Sequence, residues 1–169
     1  DHGFIDIMLN TNATLLSESR ARSMLKSGIT RIRFSLDAVT KETYEKVRLG
    51  AKYDVTMKNI ETFLKIKKEE KYDLPVVGVN FVKQRVNENE EKEFINTWMD
   101  KVDFIVVQEF QTPDVDNDYS DFLPTKSDYR EKLVTDFRCQ QPWQRILVRS
   151  TGEICPCCAF FSTELSLGN

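Results

Sequence analysis

The stretch that decides the fold is RIRFSLDAVTKETYEKVR, residues 31–48. Its first half alternates with a period of two. Ile32, Phe34 and Leu36 fall on one face, and the other face carries the polar residues Arg31, Arg33, Ser35 and Asp37. This alternation predicts a strand with one buried face and one polar face. Strands of parallel sheets are usually apolar on both faces, so the polar face indicates a sheet curved around a wet cavity.

Three further segments, starting near residues 5, 76 and 104, also read as strands, and helical patterns separate them. The first of them is predicted at residues 4–9. Ser17 and Thr40 are predicted helix N-caps, and the pair Asn87 and Glu90 is predicted as a capping box for a later helix. A longer helix is expected at residues 54–70.

Repeated strand–helix–strand units require right-handed crossovers and a parallel sheet. Four strands are too few to close an eight-stranded barrel, so the predicted fold class is α/β, a partial parallel (β/α) barrel. It is expected to occupy residues 1–110. Residues 111–138, rich in aspartate, proline and turn formers, are predicted to be a linker or an ordered loop. Residues 139–169 are predicted to form a small cysteine-rich module with a hairpin that turns at residues 150–152.

The bulk properties exclude several classes of function. The 169-residue chain has a formal net charge of −3 and a pI of about 5.4, which argues against electrostatic binding of nucleic acid or of an anionic membrane. No apolar run approaches the roughly 20 residues that span a bilayer, and the first residues do not resemble a signal peptide. The expected location is the cytoplasm.

All four cysteines lie in the last 31 residues, at Cys139, Cys155, Cys157 and Cys158. In a reducing compartment such a cluster favours metal ligands over a disulfide framework. Zinc and an iron–sulfur cluster both take about four such ligands, and the spacing does not separate them. Buried free cysteines or a chance disulfide are the alternative interpretation.

Several polar residues are candidates for ligand binding. Ser35 and Asp37 would lie at the carboxyl end of a strand, where sheets and barrels of this kind bind ligands, and could contact the hydroxyls of a sugar. Capping of the next turn explains them equally well. Arg48 could pair with a carboxylate or phosphate, although an isolated arginine is more often a surface residue. Asn12 follows the first strand and would share the rim of the cavity, and turn chemistry explains it equally well.

Together these segments resemble radical S-adenosylmethionine (radical SAM) enzymes that carry a SPASM or twitch auxiliary-cluster domain. The matching stretches are NTNATLL after one strand, FSLDA at the end of the next, YEKVR downstream, and CQQPWQRILVRSTGEICPCC near the carboxyl end. The resemblance implies that Ser35 and Asp37 lie near the ribose of S-adenosylmethionine. It also implies that Arg48, thirteen residues after Ser35, pairs with the methionyl carboxylate, and that Asn80 lines the same pocket.

The carboxyl-terminal cysteines resemble the opening of the SPASM signature, C-x(9-15)-G-x(4)-C. Cys139, Gly152 and Cys157 have this spacing. In the family the two matching cysteines ligate an auxiliary 4Fe-4S cluster, so the resemblance implies that role here. Cys155 and Cys158 are additional, and either could be a ligand instead.

The family's C-x(3)-C-x(2)-C loop, which binds the cluster that reduces S-adenosylmethionine, does not occur among these residues. We therefore expect that loop upstream of Asp1. The chain then corresponds to about the last four strand–helix units of a six-stranded radical SAM barrel and the start of a SPASM module. Taken alone, it is expected to be inactive.

The function implied by the resemblance is reductive cleavage of S-adenosylmethionine to a 5′-deoxyadenosyl radical, which abstracts hydrogen from a substrate. Related proteins often modify peptides or mature enzymes, which implies a peptide or protein substrate of unknown identity. The alternative function is a non-catalytic α/β binding module with a zinc-stabilised cysteine knuckle. An exposed barrel edge would also favour self-association.

Overall fold

The computed structural model describes residues 3, 5–111, 117–126, 138, 140–144, 146–156 and 166–168. The chain divides into two compact units, Asp1–Phe110 and Gln111–Asn169. The first unit contains β1 (Met8–Thr11), α1 (Glu18–Lys26), β2 (Arg31–Ser35), α2 (Lys41–Val47), α3 (Tyr53–Glu69), β3 (Val76–Lys83), a 3-10 turn (Glu88–Glu90), α4 (Glu91–Trp98) and β4 (Phe104–Glu109). The second contains α5 (Gln141–Gln144), β5 (Leu147–Val148) and β6 (Ile154–Cys155).

The four strands of the first unit form one sheet in sequence order, β1-β2-β3-β4. Every neighbouring pair is parallel, and helices connect successive strands. The predicted α/β class with a parallel sheet is therefore confirmed. In such a sheet all carboxyl ends lie at one edge, so the loops after β1, β2, β3 and β4 share that edge.

The core lies between one face of the sheet and the helices. Ile32 and Phe34 of β2 are fully buried, as the alternation of this strand predicts. The ring of Phe34 packs edge-on against Phe63 of α3, with 5.5 Å between ring centroids. On the opposite, polar face, Nε of Arg33 donates to Oδ1 of Asn10 over 2.8 Å. The sheet thus has the apolar and polar faces expected from the sequence.

The helix boundaries follow local signals in two cases. Ser17 caps α1 by accepting from the Arg20 amide, and Thr40 caps α2 by accepting from the Thr43 amide. Both caps were predicted from the residue type. The long helix α3 runs from Tyr53 to Glu69, one residue earlier at each end than the periodicity predicts.

The first strand is displaced from its predicted position at residues 4–9. Regular pairing begins only at Met8, which lies opposite Arg31, the first residue of β2. Before it, the Ile7 carbonyl accepts from the amides of Thr30 and Arg31, and Ile5 is 93% exposed. The prediction placed the strand too early because the start of the partner strand, rather than local alternation, decides where pairing begins.

In the second unit, β5 and β6 form a short antiparallel hairpin. Its turn is closed by a bond from the Gly152 amide to the Arg149 carbonyl, and Gly152 has a φ of 89°, which glycine adopts readily. The predicted turn at residues 150–152 is therefore confirmed. In the described part of the chain, no helix combines the length and apolar character needed to cross a membrane.

Candidate functional site

Ser35 and Asn80 lie side by side at the carboxyl end of the sheet. They are register partners in the β2–β3 pair, so both side chains lie on the polar face, one pleat beyond Arg33. Asn80 is 6% exposed. Its Oδ1 atom is buried, and among the described residues it has no hydrogen-bond partner. A buried amide oxygen without a donor is energetically costly, so this atom is a candidate to accept a hydrogen bond from a ligand.

Arg48 is brought to this edge by α2. Arg48 is the C-cap residue directly after this helix, and its amide donates to the Tyr44 carbonyl. Tyr44 anchors the helix to the core, because its ring is fully buried and its hydroxyl donates to Oγ1 of Thr56 over 2.9 Å. The Arg48 side chain is 30% exposed. Its Nε is buried and, within the described residues, lacks an acceptor.

Asp37 forms an ion pair with Arg48, from Nη2 of the arginine to Oδ2 of the carboxylate. The other oxygen, Oδ1, accepts from the Val82 amide over 2.7 Å. Asp37 is 2% exposed and has a left-handed backbone with a φ of 66°. Burial raises the pKa of the Asp37 carboxyl, while the Arg48 charge and the Val82 bond act in the opposite direction. The carboxylate thus faces protein groups. The predicted contact between Asp37 and a ribose stays a prediction, and these hydrogen bonds do not support it.

Asn87 is a buried residue of this edge that the sequence analysis did not identify as part of a site. It is 0% exposed. Its Nδ2 donates to the carbonyls of Asp37 and Val82, and its Oδ1 accepts from the Gln84 amide. Asn87 therefore ties the loop after β3 to the loop after β2, and no pattern in the sequence indicates this contact across 50 residues.

The predicted capping box of Asn87 and Glu90 is wrong. The Asn87 side chain makes no cap bond, and α4 begins at Glu91. Instead, Glu90 caps a different helix: its carboxylate accepts from the amides of Val39 and Thr40 and from the Thr40 hydroxyl, at the start of α2. The tertiary contact prevails because this carboxylate meets several unpaired donors at the amino end of α2.

The Glu90 contact is charge-assisted. Burial acts to raise the pKa of the Glu90 carboxyl, but hydrogen bonds from Thr43, Val39 and Thr40 outweigh it and hold this pKa below its ordinary value of 4.5. At neutral pH Glu90 is therefore ionised and interacts favourably with the helix dipole of α2. Glu90 and Asn87 together fix the loop that carries Asp37.

Asn12 is exposed, and its Oδ1 accepts from the amide and the hydroxyl of Thr14. Asn12 thus makes the local turn that was its alternative interpretation. It also lines a cleft of about 450 Å³ with Leu49 and Lys52. Among the described residues, no hydrogen bond joins Asn12 to Ser35, Asn80 or Arg48.

Of the four cysteines, Cys139, Cys157 and Cys158 lie outside the described residues. Cys155 in β6 is fully buried, and its Sγ accepts from Nε of Arg149 over 3.3 Å. Within the described ranges, no three histidine, cysteine, aspartate or glutamate side chains are grouped so that they could hold a metal ion. The ligand set of the cysteine module stays a prediction.

A comparison with protein families identifies this chain. The family model described as the radical SAM superfamily matches residues 1–95, more than half of the chain. The chain belongs to the radical SAM superfamily. The matched range includes β1, β2 and β3 with Ser35, Asn80 and Arg48. A search of curated proteins finds no match.

Membership of the radical SAM superfamily implies S-adenosylmethionine and a 4Fe-4S cluster. The residues at the carboxyl edge fit S-adenosylmethionine. Within the part of the chain that the structure describes, Arg48 has an unpaired donor suited to a carboxylate, and Asn80 has an unpaired acceptor suited to a hydroxyl or amino group. The described residues do not fit the cluster, because they contain no group of thiolates and the 169-residue sequence has no C-x(3)-C-x(2)-C motif.

Proposed function

We propose that this chain binds S-adenosylmethionine at the carboxyl edge of its sheet and serves a radical SAM enzyme with a partial (β/α) barrel. The observation that carries the proposal is a pair of buried polar atoms at that edge, Nε of Arg48 and Oδ1 of Asn80, which have no hydrogen-bond partner among the described residues. The radical SAM match spans both residues. When bound, S-adenosylmethionine would supply the radical chemistry of such an enzyme, and the residues of this chain would supply position and electrostatics.

The proposed roles follow from the chemistry of each side chain. Arg48 pairs with the methionyl carboxylate, since a guanidinium offers several donors in a fixed plane. Ser35 and Asn80 contact the ribose, because they are adjacent on the polar face and together offer donors and acceptors to its hydroxyls. Asn12 stays a peripheral candidate, because its side-chain oxygen is engaged in a local turn.

Binding of S-adenosylmethionine to the chain and to its variants, measured by titration calorimetry, tests this function. We expect Arg48→Gln to weaken binding about tenfold or more, because a charge-assisted pair is lost. Ser35→Ala and Asn80→Ala should weaken it by smaller factors. The matched control is Arg22→Gln, which removes a half-exposed arginine on α1 and should leave the affinity unchanged. Absence of binding by the unaltered chain would overturn the proposal, as would equal affinity of the two arginine variants.

We further propose that residues 139–169 begin a SPASM or twitch-type module, with an auxiliary 4Fe-4S cluster held by ligands from Cys139, Cys155, Cys157 and Cys158. The hairpin that carries Cys155 supports this proposal, since short turns bring sulfur ligands together. In such an enzyme the substrate is a peptide or protein whose hydrogen is abstracted.

Anaerobic metal analysis separates this cluster from the zinc knuckle of a binding module. We expect iron with acid-labile sulfide and a brown absorbance, at about four iron atoms for each 4Fe-4S cluster. Cys139→Ser and Cys157→Ser should abolish iron retention. About one zinc per chain without sulfide would instead favour the non-catalytic alternative.

A further inference from the structure

We propose that Asp37 is a positioning residue for Arg48: it orients the guanidinium toward the methionyl carboxylate and does not itself contact the ligand. This inference rests on the proposed function. Asp37 contacts two separate elements: its carboxylate pairs with Arg48 at the end of α2 and accepts from the Val82 amide in β3. It therefore fixes the end of a long, flexible arginine side chain against the sheet.

The contacts of Asp37 leave its carboxylate little capacity to bind a ligand. Each carboxylate oxygen has a protein donor, and the residue is 2% exposed. Arg48, in contrast, can still bind a ligand, because its side chain is 30% exposed and its Nε has no partner among the described residues. An arginine held at one amino group loses less conformational entropy when its remaining donors bind a carboxylate.

Asp37 is itself held in place. Its carbonyl accepts from Nδ2 of Asn87 over 2.7 Å, and Glu90 binds the backbone two and three residues further along, at Val39 and Thr40. These contacts maintain a left-handed backbone at a residue other than glycine, a conformation that costs energy without such support. The direction of the Arg48 guanidinium is therefore determined by the loops after both β2 and β3.

Two ligands distinguish positioning from direct contact. S-Adenosylmethionine has both the ribose and the methionyl carboxylate, whereas 5′-methylthioadenosine has the ribose and lacks the carboxylate. Asp37→Asn retains an oxygen for the Val82 amide but removes the charge that faces Arg48. We expect it to weaken S-adenosylmethionine binding about tenfold and to leave 5′-methylthioadenosine binding within about twofold. Arg48→Gln should behave in the same way, and the double variant should lose little more than Arg48→Gln alone.

Asp37→Glu provides a second test if Asp37→Asn folds poorly, as judged by circular dichroism, because it retains the charge and displaces the carboxylate. It should also weaken binding of S-adenosylmethionine selectively. An equal loss of affinity for both ligands would overturn the inference and assign Asp37 to the ribose. Unchanged affinity for both ligands would also overturn it, because Asp37 would then neither position Arg48 nor contact the ribose. Failure of the unaltered chain to bind either ligand would instead overturn the proposed function.

Discussion

Replacing Asp37 with alanine is expected to lower the free energy of unfolding of the first unit by about 3 kcal/mol. The substitution leaves the Arg48 guanidinium without its counter-charge and the Val82 amide without its acceptor. Urea unfolding followed by tryptophan fluorescence measures the effect. Trp98 in the first unit is 2% exposed and Trp143 is 84% exposed, so the change in fluorescence reports chiefly on the first unit.

Asp54→Ala is the matched control for this prediction. Asp54 also pairs with a cation, Lys41, but its side chain is 71% exposed. Exposed pairs contribute little, so the control should lose less than about 1 kcal/mol. Equal losses in the two variants would mean that the buried pair of Asp37 and Arg48 does not stabilise the fold.

Replacing Asn87 with alanine is expected to cost about 3 kcal/mol of unfolding free energy. Three backbone groups lose a buried partner: the carbonyls of Asp37 and Val82 and the amide of Gln84. An unsatisfied buried polar group carries its full desolvation penalty, which is why one side chain matters this much. The same urea unfolding experiment measures the loss.

The control for Asn87 is Asn96→Ala, which removes an exposed asparagine from α4. It should change the free energy of unfolding by no more than about 0.5 kcal/mol. If Asn87→Ala is as stable as this control, Asn87 does not tie the two loops together. Its three hydrogen bonds would then be replaced by water at little cost.

The strands and helices of the first unit were largely predictable because their signals are local. The alternation in residues 31–36 determines which face of β2 is buried, and Ser17 and Thr40 mark helix starts by residue type alone. Repeated strand–helix units then require a parallel sheet. The first strand was predicted too early, because its limits depend on where β2 begins.

The candidate site was only partly predictable. Ser35 and Asn80 could be assigned to one edge, since parallel strands end together. Three of the tertiary contacts could not be assigned, because 45 to 51 residues separate the bonded groups: Asp37 with Val82, Asn87 with Asp37, and Glu90 with Val39. The pair Asn87 and Glu90 even has the spacing of a local capping box, and a distant helix end competes for the same carboxylate.

The sequence by itself determined the α/β class, the polar face of β2 and the polar residue types near the carboxyl end of that strand. These follow from periodicity and side-chain chemistry, which act over a few neighbouring residues. Only the tertiary structure decided that Asp37 faces Arg48, and that Asn80 Oδ1 and Arg48 Nε find no hydrogen-bond partner in the described ranges. The physical reason is that burial and pairing depend on which loops meet at the carboxyl edge of the sheet, and that depends on packing of the whole unit.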